Sequence, residues 1–146
     1  MQGMLTEETK IIRIKASSTA ATSTITSDAV DMAADGGWDE VTFVVDFETA
    51  AADNILKAQQ SSDDGSADAY ADIAGSAVPV DTGGTVQRLN IVNPRERYLK
   101  AIATRGTSTV LGTIFAILSR GRKPYALATV DNYNVERLVS PAEGTA

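Results

Sequence analysis

The stretch VTFVVDF (41–47) constrains the fold of this chain most, because its apolar residues recur with a period of two. Val41, Phe43, Val45 and Phe47 fall on one face of an extended chain. Alternation of β-branched and aromatic residues is typical of a strand with one buried face. The stretch therefore predicts a sheet that packs against a core on one side.

Other stretches also have the composition of strands, and turn residues separate them. They are KIIRIKA (10–16), short segments near Thr24–Thr26 and Ala29–Met32, NILKAQQS (54–61), VQRLNIV (86–92), RYLKAIAT (97–104) and TVLGTIFAILS (109–119). We expect turns at 33–40, 78–87 and 93–96, and a hairpin-length connection at 48–53. The stretch 109–119 is apolar on both faces, which predicts a central or doubly covered strand.

Several short strands with turns between them predict an all-β chain, folded as an antiparallel β-sandwich or jelly roll with extended terminal arms. At 146 residues the chain has the length of one domain. We place an N-terminal arm at 1–9, the sandwich at 10–119 and an extended C-terminal arm at 120–146. Residues 120–146 contain scattered aromatic and aliphatic anchors without a clean period, so they fit either an arm on a neighbouring subunit or a tail folded back on its own domain.

The composition excludes several kinds of site. The chain contains no Cys and no His, so thiolate and imidazole chemistry is excluded. It has no apolar run long enough to span a membrane, and its first residues lack the features of a signal peptide. We expect no cofactor.

Charge is distributed unevenly along the chain, whose formal net charge is −6. Residues 1–88 contain 15 acids and 5 bases, a net −10, whereas residues 89–146 contain 4 acids and 8 bases, a net +4. This asymmetry suits head-to-tail contact between copies or docking on a charged surface, and it equally suits two solvated faces of one domain. The overall acidity argues against nucleic-acid binding.

The acidic stretch QQSSDDGSADAYADI (59–73) could be a calcium site, a catalytic carboxylate cluster or a turn. It lacks the alternating oxygen ligands of an EF-hand loop, and neighbouring acids on a turn rarely face each other across a cleft. We interpret Asp63, Asp64 and Gly65 as a structural turn, because Asp bonds local amides and Gly accepts positive φ. Tyr70 and Ile73 would then return to the core.

Catalysis has little support elsewhere in the chain. The DTGG segment (81–84) is similar to part of the aspartic-protease signature, but it occurs once and in a Gly-rich turn. The sequence therefore predicts a protein that is not an enzyme.

Four short motifs, in this order, resemble a family of small tailed-phage virion proteins from about Val30 to Ser119. They are VTFVV (41–45), the Q-x-S-x-D-x-G pattern at 59–65, YADI (70–73) and RYLKA (97–101). The ending VSPAEGTA (139–146) is also similar to tails in such proteins. Two positions depart from the family pattern, since Tyr70 stands where Trp is usual and Ala58 where a larger apolar residue is usual.

The resemblance implies a non-enzymatic virion structural protein with a β-sandwich or jelly-roll fold. We infer a capsid cement or decoration protein of the phage head, made in the host cytoplasm, rather than another head or tail protein. Its expected partners are the major capsid protein and copies of itself in a homo-oligomer such as a trimer, with no nucleic acid and no membrane. The residues expected to contact partners are Leu5, Ile11, Ile12, Arg120, Arg122, Tyr125, Tyr133 and Leu138.

The Q-x-S-x-D-G pattern is also similar to one in discoidin-like sandwiches that bind sugars. In that alternative the chain is a carbohydrate-binding adhesion module, and its ligand is a glycan. Trp38 is the one candidate for an exposed sugar platform, and beside Gly37 it fits a position that caps the core better.

Overall fold

The structure is a computed structural model that describes residues 9–81 and 84–122. The strands are β1 (Lys10–Lys15), β2 (Ser18–Ala21), β3 (Ile25–Thr26), β4 (Val30–Asp31), β5 (Trp38–Asp46), β6 (Ala51–Ser61), β7 (Ala71–Asp72), β8 (Val78–Val80), β9 (Val86–Val92), β10 (Tyr98–Arg105), β11 (Thr109–Leu111) and β12 (Ile114–Gly121). Within these ranges the one helical element is a 3₁₀ turn at Ala34–Gly36. The all-β prediction is confirmed. None of the described residues forms a helix that is long and apolar enough to cross a membrane.

The strands form two main antiparallel sheets and a small ribbon. Sheet I has the order β1-β12-β5-β9. Sheet II has the order β3-β10-β6-β7, with β4 also on β10 and β8 also on β6. The ribbon pairs β11 with β2. The connections after β4, β5, β8 and β9 lead from one main sheet to the other, so the two sheets are interleaved along the chain.

Both sheets bury side chains in one hydrophobic cluster. Sheet I contributes the inward residues of β5, Val41, Phe43 and Val45, as the alternation predicts. Sheet II contributes Leu56 and Ala58 from β6, also as predicted. Two antiparallel sheets that share one core have the arrangement of a β-sandwich. The jelly-roll alternative stays a prediction.

Small side chains line much of the inner side of sheet II. Ala58 and Ala101 stand opposite each other on β6 and β10, and both are fully buried with Ala103. Bulkier residues such as Phe43 and Ile114 come from sheet I. Large and small side chains on facing layers fill a core densely, which is how a chain with few aromatic residues can still pack two sheets.

The predicted hairpin at 48–53 is wrong. β5 pairs with β12 and β9 in sheet I, whereas β6 pairs with β10 in sheet II. The chain therefore crosses between the sheets after Phe47, and β6 already begins at Ala51. Period-two alternation identifies a buried face, but it does not specify which sheet a strand joins.

The single strand predicted at 109–119 is also wrong, since the chain forms β11 and β12 with a break at Gly112 and Thr113. The amide of Gly112 donates to the carbonyl oxygen of Asp46 at 2.7 Å, so this break lies where the chain passes close to the end of β5. β12 is central in sheet I, as predicted, but it is covered on one face only. Phe115 on its other face is 39% exposed.

Smaller differences concern the turns and the arm boundary. The segments 33–40 and 78–87 contain turns, but β5 already begins at Trp38 and β8 occupies Val78–Val80. Strand β2 lies in the Ser/Thr-rich segment and was not predicted there. β12 continues to Gly121, so Arg120 belongs to a strand and not to an arm that starts at 120. The strand predicted at 86–92 is confirmed with the same bounds.

Candidate functional site

Asp63 organises the acidic loop between β6 and β7. Its carboxylate accepts the backbone N–H groups of Ser66, Ala67 and Asp68 at 3.0, 2.7 and 3.1 Å. Asp64 and Gly65 reverse the chain with φ angles of 61° and 79°, a region in which Gly has no steric cost and Asp is tolerated. The loop is thus built around one carboxylate.

Ser61 and Asp68 close the base of this loop. The hydroxyl of Ser61 accepts the N–H of Gly65 at 2.8 Å and donates to the carbonyl oxygen of Asp68 at 2.7 Å. The Asp68 carboxylate accepts both the backbone N–H and the hydroxyl of Ser62, at 2.8 and 3.0 Å. These bonds occupy the acidic side chains within the loop itself.

Hydrogen bonds lower the pKa values of two carboxyl groups in and beside the acidic loop. The N–H groups of Ala67 and Asp68, with a smaller contribution from Ser66, lower the pKa of Asp63 below its usual 3.8. The pKa of Asp72, on β7, is also lowered, because Lys57 and Gln59 hydrogen-bond to its carboxylate. Both carboxylates are therefore held ionised, which is the opposite of what a general acid requires.

Tyr70 does not return to the core, so this prediction is wrong. Its hydroxyl donates to Asp64 at 2.6 Å, and its ring lies over the ammonium of Lys100, 3.9 Å from the centroid. Burial and the bond to Asp64 raise the pKa of this phenol. Ile73 does pack against the core, as predicted.

No chemistry for the acidic stretch follows from this geometry. Across residues 9–81 and 84–122, no group of three or more acidic side chains is placed to hold a metal ion. Asp63 already accepts three backbone donors, and Asp64 accepts the Tyr70 phenol. The loop has the contacts of a structural turn. The DTGG segment falls partly outside the described residues.

Trp38 is a core residue and not an exposed platform. Its side chain is 2% exposed and belongs to the shared hydrophobic cluster. A sugar platform needs an open aromatic face, so the suggested glycan contact at Trp38 is wrong.

The four predicted partner-binding residues that the structure describes are not gathered in one place. Ile11 lies half-buried on the outer side of sheet I, opposite Ile117. Ile12 points the other way and packs against the core, which makes it unsuitable for partner contact. Arg120 is exposed near the end of β12, and Arg122 bonds to Asp39. Leu5, Tyr125, Tyr133 and Leu138 lie outside the described residues.

The outer face of sheet I is the better candidate surface. One row of paired residues crosses all four strands as Arg13, Phe115, Val44 and Arg88. The next row is Ile11, Ile117, Thr42 and Asn90. Within the described part of the chain, all the large hydrophobic side chains that are exposed lie on this face: Val86 at 62%, Val92 at 47% and Phe115 at 39%.

Polar groups border this surface. Arg13 and Arg88 end the central row on the two edge strands, and both are exposed. Asn90 donates to Glu40 at 2.7 Å and to Thr42 at 2.8 Å, which ties β9 to β5 on the same face. An apolar centre with a polar border is typical of protein-binding surfaces.

The sequence contained a signal for this face that our prediction missed. In IFAILS the alternate residues Phe115 and Ile117 were expected to be covered, because the whole stretch is apolar. Their partners on β1 are Arg13 and Ile11, and Arg88 and Asn90 of β9 continue the same two rows beyond β5. These rows can be drawn only once the strand order is known.

Comparison of the chain with protein-family models, curated proteins and solved structures finds no match.

Proposed function

We propose that the chain is a non-enzymatic virion structural protein of a tailed phage, of the capsid cement or decoration kind. It binds between major capsid protein subunits through the outer face of sheet I. The supporting observation is that Phe115, Val86 and Val92 are all exposed on this one face. The sequence resemblance to small virion proteins supports the same partner.

The two arginines of the central row suit acidic groups on the shell, and Glu40 and Asp46 on the same face suit basic ones. Arg13 and Arg88 flank the apolar row, and each carries a side chain long enough to pack its stem on a partner while its guanidinium meets a carboxylate. Covering the exposed 39% of Phe115 would contribute about 1–2 kcal/mol per copy. Symmetric attachment of many copies multiplies this modest contribution.

A head-binding assay tests this proposal. Purified protein is mixed with heads assembled from the major capsid protein of the same phage, and bound protein is measured by sedimentation. We expect saturable binding that Phe115→Ser weakens about tenfold or more. Ile55→Ser is the matched control, because Ile55 lies on the outer side of sheet II. Absence of binding by the wild-type protein contradicts the proposal.

The carbohydrate-binding alternative loses its platform, since Trp38 is buried. No specific observation on the described residues favours it over the protein-binding surface.

A further inference from the structure

A cavity of about 330 Å³ opens between the start of β5 and the connection from β9 to β10. Three arginines, Arg95, Arg97 and Arg122, line it. Trp38 and Pro94 supply apolar walls. We call it the arginine pocket; it lies away from the rows of the outer face of sheet I that carry Phe115. Its volume falls within the range of ligand sites, which is about 300–1,000 Å³.

Backbone hydrogen bonds fix the walls of the arginine pocket. The amide of Trp38 donates to the carbonyl oxygen of Met32 at 2.8 Å, and the amide of Met32 donates to that of Arg97 at 2.9 Å. The amide of Asn93 donates to the carbonyl oxygen of Asp39 at 2.7 Å. The pocket is therefore bounded by three segments that are joined to one another.

Gly37 allows Arg122 to pack closely against the wall of the arginine pocket. The amide of Arg122 donates to the carbonyl oxygen of Gly37 at 2.8 Å. Gly37 has a φ of 104°, and a Cβ there would lie 3.0 Å from Cδ of Arg122. A side chain at position 37 would thus both strain the backbone and displace the arginine stem.

The three guanidinium groups keep donors available. Arg97 uses Nε and Nη2 in a two-pronged contact with Asp31, at 2.9 and 2.8 Å. Arg122 uses Nε toward Asp39 at 2.8 Å. Neither Nη group of Arg122 has a partner within residues 9–81 and 84–122, and over the same ranges Arg95 has no hydrogen-bond or ion-pair partner at all.

We propose that the arginine pocket binds a carboxylate group of an organic acid, either free or carried by an acidic side chain. A planar guanidinium with two parallel donors matches a carboxylate, and the contact is charge-assisted. Asp39 and Glu96 also line the cavity, so its net charge accepts one negative charge better than two. This disfavours a phosphate dianion. Pro94 provides contact for the carbon body of the acid, and the buried Trp38 lies behind this wall.

Trp38 is the only tryptophan of the chain, so its fluorescence reports on the pocket directly. The intact protein is titrated with succinate, with the capped peptide acetyl-Gly-Glu-Gly-amide and with inorganic phosphate, at constant ionic strength set by chloride. We expect a saturable change in Trp38 emission with succinate or with the glutamate peptide. The tighter of the two identifies the source of the carboxylate. The same peptide with Gln in place of Glu is expected to leave the emission unchanged.

Two arginine variants make the test specific. Arg95→Gln is expected to weaken carboxylate binding about tenfold or more. Arg88→Gln removes the same charge from the outer face of sheet I and is expected to leave binding unchanged. Saturation with neither carboxylate, equal loss in both variants, or tighter binding of phosphate overturns the proposal. Because Arg88 and Phe115 are outside the pocket, head binding through sheet I is tested independently.

Discussion

Asp63 is kept ionised by the loop that it organises. Three backbone N–H groups point at its carboxylate, and their bonds exist in full only while the carboxylate is charged. Its neighbours Asp64 and Gly65 adopt left-handed conformations that the loop requires. The side chain therefore acts as a local cap, although it is exposed to solvent on one side.

Replacing Asp63 tests this role. Asn keeps one oxygen acceptor where Asp offers two, so Asp63→Asn should loosen the loop. We expect faster hydrogen exchange of the amides of Ser66, Ala67 and Asp68. Asp28→Asn is the control, because the Asp28 carboxylate makes no hydrogen bond within the described residues. Unchanged exchange in Asp63→Asn would contradict the cap.

The lowered pKa of Asp63 sets a pH dependence. A carboxyl whose folded-state pKa lies below its unfolded value of 3.8 stabilises the fold at any pH above that value. This contribution is lost as pH falls through the lowered pKa. We expect the amide exchange of Ser66 to Asp68, corrected for intrinsic pH effects, to stay constant from pH 7 to about 4 and to accelerate below. Acceleration between pH 7 and 5 would contradict this.

Arg105 is a buried cation that neutral groups hold in place. It is 2% exposed, and it donates to the carbonyl oxygens of Ser23, Thr19 and Thr109 at 2.9, 2.7 and 3.0 Å. Its guanidinium also reaches the hydroxyl of Ser23 at 2.7 Å. These bonds tie the ribbon of β2 and β11 to the end of β10.

Substitution of Arg105 should be costly. Arg105→Met leaves several carbonyl oxygens without donors, at about 1–3 kcal/mol for each one that stays buried. We expect the free energy of unfolding to fall by about 3 kcal/mol or more, measured from urea midpoints. The exposed Arg88→Met should change it by less than about 0.5 kcal/mol. Similar midpoints for the two variants would show that the buried bonds contribute little.

At the scale of elements, the contact between the start of β6 and the turn after β10 is unusually close. The amide of Gly106 donates to the carbonyl oxygen of Asp53 at 3.1 Å. A Cβ on Gly106 would lie 2.7 Å from that same oxygen, so any side chain requires the backbone to move. Next to it, the buried Asn54 bonds Thr49 and Thr107, which couples the crossing from β5 to the turn before β11.

Gly106→Ala should separate these elements. The added Cβ would lie 2.7 Å from the backbone oxygen of Asp53 as well as from its Cβ and Cγ, so a side-chain rotation alone cannot relieve the clash. We expect a loss of unfolding free energy of about 1–3 kcal/mol. Gly75→Ala is the comparison, because a Cβ there meets nothing within 4 Å and only its φ of 76° is strained. If thermal unfolding shows that both variants lose the same free energy of unfolding, the close approach of Gly106 to Asp53 adds nothing to the cost of the substitution.

Element positions were predictable where side chains alternate, and sheet membership was not. The strands 41–47 and 86–92 were found because Val41, Phe43 and Leu89 mark one buried face. The crossing after Phe47 and the break at Gly112 depend on contacts between distant segments, such as the Gly112 bond to Asp46. The arginine pocket has the same origin, since Arg95 and Arg122 are far apart in sequence and meet only through Gly37, Asp39 and Asn93.

At the scale of the whole molecule, two surfaces with different chemistry adjoin at the end of β9, where Val92 of the outer face precedes Asn93 of the pocket. The outer face of sheet I is apolar at its centre, with arginines at its edges. The arginine pocket is polar and concave. In the acidic loop between β6 and β7, by contrast, the carboxylates of Asp63 and Asp68 accept hydrogen bonds from amides of the loop itself. We therefore propose the outer face of sheet I as the head contact and the arginine pocket as the site of a separate carboxylate.

Cysteine accessibility on assembled heads tests the head contact most directly, because the chain contains no Cys and a single introduced thiol is unambiguous. Val92→Cys places the thiol on the outer face of sheet I, and Ser66→Cys places it on the exposed acidic loop. Maleimide labelling is compared for free and head-bound protein. The account predicts that binding to heads protects Cys at position 92 and leaves Cys at position 66 reactive. Equal labelling of position 92 in both states, with the protein bound, would contradict it.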